Sequence, residues 1–281
     1  MYTCLSPGAI GVGVPFPQAA RLAAAHGFQG IQLDLDFVVK EGPQKARDLL
    51  EQLGLRPGSF GLPVAFREGE KEYQESLNQL EEKAKAARQA GCTRCSTYIL
   101  SWSETLNFKE NFQFHRDRLR PVAQILADQG IALGLEFLGP KTLRRGKPYE
   151  FIHTLEGMLE LCEAIGTGNV GLLLDAWHWY TSEGDENQLK ALRKQDVVDV
   201  HINDAPAGIP VDEQMDNVRC LPGETGVIPI TVFLRSLQEI GYDGPVTPEP
   251  FSARLHTLPP EEAVRETAAA VRKVWTAAGL E

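Results

Sequence analysis

Four apolar runs in this chain each carry an ionisable residue at or near their end. "ALGLEF" carries Glu136, "GLLLD" Asp175, "VVDVHIND" His201 and "PVTPEP" Glu249. A carboxylate or imidazole closing a run of leucines and valines is costly to bury unless something compensates it. Taken singly, each acid has a plain reading as a helix cap or ion-pair partner, and the histidine as a hydrogen-bonded core residue. Four of them on four successive runs are harder to explain that way. Three carboxylates and one imidazole gathered together would repel one another. A single divalent cation removes the repulsion, and three oxygens with one nitrogen suit Mn²⁺, Mg²⁺, Co²⁺ or Zn²⁺.

Other polar residues cluster near these four in the sequence. His178 follows Asp175 by three positions in "LLLDAWHWYTSEG". It reads as a neutral imidazole donating a hydrogen bond to a substrate oxygen, or as a fifth ligand. Trp177 and Trp179 flank it, and one of the pair is expected to stack on a sugar ring. Asp204, three after His201, is either a carboxylate orienting that ligand or a turn residue in "NDAP". Lys141, Arg144 and Arg145 in "GPKTLRRGKP" are either a solvated surface or a basic loop that holds an anionic substrate or closes a lid. Arg219 in "NVRCLPGETG" is the strongest candidate for a substrate-orienting guanidinium.

The elements that position these residues repeat one phrase. An amphipathic helical stretch ends on a glycine and a short β-rich run follows, as in "RLAAAHGFQGIQLD", "VAQILADQGIALGLEF" and "MLELCEAIGTGNVGLLLD". Glycine just past a helix is the expected left-handed cap. The pattern predicts eight strands near 2–5, 29–34, 55–61, 94–99, 131–137, 170–175, 197–202 and 244–249. Seven helices intervene, one of them around Leu189 to Lys194, and "PPEEAVRETAAAVRKVWTAAG" closes the series. Strands and helices alternating in this way imply right-handed βαβ units and a (β/α)8 TIM barrel, with residues 1–281 forming one domain. A doubly wound open sheet would need a glycine-rich phosphate loop, and "CLSPGAIGVGVPFPQ" matches it poorly. The longest irregular stretches, 139–150 and 203–228, both follow strands, on the side where barrel enzymes build their sites.

Bulk properties narrow the class. The chain has 281 residues, 43% of them hydrophobic, and a formal net charge of −10. That balance repels phosphate backbones and argues against a nucleic-acid partner. No stretch approaches the roughly 20 apolar residues of a membrane span. The N-terminus lacks the charged start and long apolar run of a signal peptide, and five scattered cysteines fit reduced thiols, so a cytoplasmic protein is expected. Cys92 and Cys95 form a lone C-x-x-C that continues into a strand, which argues against a zinc or redox site there.

Glu, Asp, His and Glu closing strands 5 to 8, with D-x-x-H on strand 6, resemble the xylose isomerase-like barrel superfamily of sugar isomerases and epimerases. "GFQGIQLD", "GLEF", "LLLDAWH", "DVHINDAP" and "GPVTPEPF" carry the resemblance over nearly the whole chain. It implies that Glu136, Asp175, His201 and Glu249 hold one divalent ion. It also implies that Glu136 and Glu249 act as acid and base on opposite faces of a sugar or cyclitol, with His178 binding it. The expected chemistry is proton removal beside a carbonyl through a metal-stabilised enediolate, giving isomerisation or epimerisation. Loss of a β-hydroxyl from the same intermediate would make the protein a dehydratase or related lyase, as in inosose dehydratases. A non-catalytic sugar-binding barrel is the alternative of another class. Two features depart from the ketose 3-epimerases: Thr142 stands where they carry a further glutamate, and Arg219 lies well beyond His201 rather than close after it. The superfamily's abasic-site endonucleases carry many more histidines than this acidic chain does. Barrels of this family often assemble, and "VWTAAGLE" at the C-terminus is an expected contact between copies in a homo-oligomer.

Overall fold

The computed structural model describes residues 1–280. Its strands are β1 (Tyr2–Leu5), β2 (Gly30–Ile31), β3 in two pieces (Arg56–Pro57 and Phe60–Gly61), β4 (Arg94–Ile99), β5 (Ala132–Phe137), β6 (Val170–Asp175), β7 (Val197–Ile202) and β8 (Pro245–Pro248). Every pairing among them is parallel. The sheet runs Arg56–Pro57, β2, β1, β8, β7, β6, β5, β4, Phe60–Gly61. It therefore begins and ends on the two halves of β3, and the ring closes through that broken strand. This is a (β/α)8 TIM barrel whose eight predicted strands become nine pieces.

The break in β3 has a local cause. A side chain at Gly58 would stand 2.6 Å from the Cys4 sulfur and press on the backbone of β2. The glycine lets the chain cross close to β1 and β2 before Phe60 pairs with Cys95 of β4.

Between the strands run the helices Phe16–Ala25, Pro43–Gln52, Leu80–Gln89, Phe108–Asp128, Leu155–Ile165, Glu186–Ala191 and Ile230–Glu239, and Pro260–Ala277 closes the chain. The sixth starts earlier than its sequence suggests. Asp185 accepts from the Gln188 amide while Gln188 reaches back to the Asp185 amide, a capping box that fixes the start. Neither long irregular stretch is wholly irregular. The first contains a helical turn, Lys141–Arg144, and a short strand, Tyr149–Glu150, paired antiparallel with Trp102–Ser103. The second contains the single turn Val211–Glu213.

Strand periodicity sorts the barrel side chains. Leu133, Leu135 and Phe137 alternate with Gly134 and Glu136 along β5, so the apolar set packs under the helices and the alternate set faces the barrel axis. The same alternation turns Asp175 and His201, direct neighbours in register, into one mouth at the C-terminal ends of the strands. At the other end of the chain, Val274, Trp275 and Ala278 are buried in this chain's own core. The C-terminal stretch expected to meet a second copy therefore spends its large side chains internally. No helix among the described residues is long and apolar enough to cross a membrane.

Candidate metal centre and active-site mouth

Glu136 at the end of β5, Asp175 of β6, His201 of β7 and Glu249 just past β8 converge. One ligand atom from each lies within 4.8 Å of all the others. Divalent ions bond such atoms at about 2.0–2.2 Å, so one ion fits inside the set with small adjustments. Two atoms of the set call for it directly. Glu136 Oε1 and His201 Nδ1 are buried and have no hydrogen-bond partner. Nδ1 lies 3.3 Å from Glu249 Oε2 and 3.8 Å from Glu136 Oε1, too poorly aligned or too far to satisfy it. Two oxygens and a nitrogen pointed at one another in a buried space are a cation's donor set.

The electrostatics agree with this arrangement. Burial, with the Glu249 and Asp175 charges adding to it, raises the Glu136 carboxyl well above the usual carboxylate range. Burial opposes a charge on His201, but the carboxylates around it, Glu249 foremost, overcome that and carry the imidazole up to about 10. Burial would also raise Asp175, yet the Arg219 guanidinium beside it holds it down to about 2.

Arg219 reaches the centre from the long loop after β7, and its side chain is 1% exposed. Nη1 donates to Asp175 Oδ2 at 2.8 Å and to Glu249 Oε2 at 2.9 Å, while Nη2 donates to Asp216 Oδ1 at 3.0 Å. The guanidinium lies 4.5 Å from the Phe251 ring and 5.3 Å from that of Trp177. Phe251 has a φ of +37°, a conformation rare for a residue with a side chain. Asp175 Oδ1 is occupied as well: it accepts from Asn203 Nδ2 at 2.9 Å and from the Trp177 amide at 2.8 Å. Asp175 thus caps the helix Ala176–Thr181 and faces the centre at once.

His178, on that helix, is fully packed. Its Nδ1 accepts from the Gly139 amide at 3.2 Å. A neutral ring that accepts at Nδ1 carries its proton on Nε2. Nε2 lies 3.4 Å from Arg219 Nη2, 3.8 Å from Glu136 Oε1 and 3.9 Å from Asp175 Oδ2, so this nitrogen lies between the guanidinium and the centre. Burial lowers the pKa of this imidazole and keeps it neutral. Gly139 has to be glycine, because a Cβ there would collide with the His178 carbonyl and the Thr181 hydroxyl.

The remaining expectations fare less well. Trp177 has 0% exposure and offers no face to a sugar. Trp179 is packed on Phe233 and donates through Nε1 to the Asp185 carbonyl, so it is a core residue too. Both belong to a helix whose solvent side is covered by the loops above it. Lys141 pairs with Asp212 at 2.5 Å, and Arg145 pairs with Glu213 at 2.7 Å. Arg144 donates to the Gly139 carbonyl at 2.7 Å and lies 3.5 Å from Glu150. The basic loop is thus a clasp on the loop after β7, and its charges are already matched within the chain. Thr142 joins it by donating to the Gln214 carbonyl. Asp204 accepts from the Ala205, Thr225, Gly226 and Ile228 amides and shapes that same loop; it makes no hydrogen bond to His201.

Sequence reasoning missed Asn203, Asp216, Phe251 and Tyr98. Asn203 and Phe251 lie within two residues of a candidate ligand, which is the only signal that marks them. Tyr98 pairs in register with Glu136, and that register becomes visible only once β4 and β5 are aligned.

Comparison with known proteins agrees with this fold. Over 212 residues the chain is 26% identical to an inosose isomerase of Bacillus velezensis, an alignment covering 75% of this chain and 72% of that one. Over 256 residues it is 27% identical to a 3-dehydroshikimate dehydratase of Pseudomonas aeruginosa, covering 86% of this chain but only 37% of the longer enzyme. Among solved structures, a xylose isomerase domain protein of Alicyclobacillus acidocaldarius superposes with a TM-score of 0.88 at 28% identity over 99% of both chains. A zinc-bound IOLI protein superposes with a TM-score of 0.82 at 21% identity, again over 99% of both. The profile of one family matches residues 20–274, and by that match the chain belongs to the xylose isomerase-like TIM barrels.

Proposed function

We propose that this protein is a divalent-metal-dependent enzyme that removes the proton beside the carbonyl of a small polyol, and that it works as a sugar or cyclitol isomerase or epimerase. The observation that carries this reading is the position of the two glutamates. Glu136 and Glu249 sit on strands on either side of β6 and β7, and both approach the same His201 nitrogen, at 3.8 and 3.3 Å. Glu136, Asp175, His201 and Glu249 would hold the ion. When bound, the ion supplies the positive charge that makes proton removal beside a carbonyl accessible near neutral pH.

The chain's own residues do the rest. Glu249 takes the carbon-bound proton, and Glu136 returns one from the opposite side. His178 presents Nε2–H to a substrate oxygen, and burial keeps it a donor rather than an acid. Arg219, held by Asp175, Asp216 and Glu249, orients an oxygen of the substrate while keeping Glu249 ionised.

Elimination of a β-hydroxyl from the same enediolate would give a lyase. The likeness to a dehydratase over 86% of this chain favours keeping that as the second outcome.

Proton NMR of the metal-loaded protein in D₂O with a panel of ketoses and keto-cyclitols tests the reading. Deuterium entering a carbon beside a carbonyl is the expected result, and the product separates epimerase, isomerase and dehydratase. Tight metal binding with no exchange on any member would favour a non-catalytic sugar-binding barrel instead.

A further inference from the structure

The cations that border the mouth are already matched within the chain. On the loop after β5, Lys141 pairs with Asp212, Arg144 with Glu150 and Arg145 with Glu213, and Lys147 pairs with Glu104. Arg67, on the loop after β3, lies over the Tyr98 ring at 4.1 Å and lines a different cavity, together with Glu68 and Glu104. Arg219 is held by Asp175, Glu249 and Asp216. None of them offers the mouth a positive charge without an acid beside it, and a phosphate or carboxylate is held by such a charge.

The centre itself has an acid to spare. A divalent ion and Arg219 together bring three positive charges, and Glu136, Asp175 and Glu249 balance them with three negative ones. Asp216 is left over. Its Oδ1 accepts from Arg219 Nη2 at 3.0 Å and lies 3.8 Å from His178 Nε2, which puts the carboxylate at the edge of the ligand set. Arg219 already has two carboxylates on Nη1, so neutralising the guanidinium does not require a third. The Asp216 side chain is 25% exposed, against 17% for Glu249 and 1% for Arg219 and His178. Among the described residues nothing hydrogen-bonds its Oδ2.

The wall next to Glu249 is polar without charge. β1 lies between β8 and β2 in the sheet, and the residues that follow β1 and β2 are Ser6 and Gln32. Ser6 Oγ donates to Gln32 Oε1 at 2.7 Å, which leaves the Gln32 amide hydrogens and the Ser6 lone pairs for hydroxyl groups.

We infer that the mouth takes an uncharged keto-polyol and turns away its phosphate and carboxylate counterparts, and that Asp216 makes the selection. Its Oδ2 accepts a hydrogen bond from a hydroxyl of the neutral ligand and repels an anionic group arriving at the same place. That a keto-polyol binds at this mouth rests on the function proposed above. The surplus of negative charge does not.

Ligand-observed proton NMR of the zinc-loaded protein tests the selection, with D-fructose, myo-inositol and their phosphates, D-fructose 6-phosphate and myo-inositol 1-phosphate, as probes. At low salt a neutral probe is expected to bind about tenfold more tightly than its phosphate. Asp216→Asn keeps an acceptor for Arg219 and removes the charge, so this ratio should fall toward one while the zinc content stays the same. Raising the salt should also shrink the ratio in the wild type, a reading that needs no variant. No binding of either neutral probe, a phosphate bound as tightly as its parent, or an unchanged ratio in Asp216→Asn would overturn the inference. Selective binding with no deuterium exchange on any ketose would sink the proposed chemistry and leave the selection in place. Exchange on a ketose phosphate in preference to the free ketose would do the reverse.

Discussion

Arg219 Nη1 is shared between two carboxylates of the candidate metal set, 2.8 Å from Asp175 Oδ2 and 2.9 Å from Glu249 Oε2. A fixed positive charge thus sits against the position where a divalent ion is expected to add two more. The guanidinium balances the buried acids, and the Glu249 oxygen it holds is the one that lies 3.3 Å from His201 Nδ1. Replacing it by an uncharged side chain strands Asp175, which is fully buried and ionised. Breaking a buried pair in this way costs about 3–5 kcal/mol. Arg219→Met is therefore expected to melt well below the wild type in chelator and to recover part of the loss when zinc is added, because the ion supplies charge to the same carboxylates. Thermal melts with and without zinc check this, and equal melting temperatures in chelator would sink the account.

His201 is the nitrogen of the set, and its immediate neighbours on β7, Val200 and Ile202, are apolar and face the helices. His201→Ala should weaken metal binding by about two orders of magnitude or more and leave the fold intact. Glu249→Gln keeps an oxygen at the same place but cannot take a proton, so it should retain the fold and stop exchange of substrate protons with D₂O. Metal content by mass spectrometry and exchange by NMR read the two separately. Unchanged metal content in His201→Ala would remove the site as described.

The pH dependence of metal uptake has a definite sign. Without an ion, His201 is held protonated up to about 10, and Glu136 holds its proton well above the usual carboxylate range. Both must release protons before they can act as ligands. Affinity should therefore rise with pH between about 6 and 8, with proton release visible as buffer-dependent heats in calorimetry. Asp175, held down to about 2, is already ionised across this window and adds nothing to the slope. A pH-independent affinity would contradict this picture of the donor set.

Much of this was legible in the sequence, for a physical reason. Apolar runs that end on a charge mark the C-terminal ends of barrel strands, and β4, β6 and β7 fall on the residues that hydrophobic patterning predicts. The four residues brought together at the mouth are the four named from those runs. What patterning could not supply is how the loops fold. Trp177 looked like a sugar platform because it stands two residues from Asp175, but the helix that Asp175 caps turns it inward. Lys141 looked like an anion site because its loop is basic, and only the fold brings Asp212 to meet it. The break in β3 and the register of Tyr98 with Glu136 arise between strands distant in sequence, where no local signal exists.

The clasp between the two long loops yields the last prediction. Lys141 and Arg145 pair with Asp212 and Glu213, and Thr142 and Arg145 also bond backbone carbonyls of the same segment, at Gln214 and Asp212. That segment leads within a few residues to Asp216 and Arg219. These ion pairs are solvent-exposed, so each is weak and screened by salt. Their consequence lies in where they hold the loop. A double variant, Lys141→Ala with Arg145→Ala, should leave metal affinity unchanged, because none of the four ligands lies on either loop tip. Substrate affinity should fall by about two- to tenfold as Arg219 loses its fixed position, with KM moving more than kcat. Raising the salt concentration should bring the wild type toward the variant's KM and leave the variant little changed. If the double variant instead lost metal, or if its KM matched the wild type's at low salt, the clasp would have no part in placing Arg219.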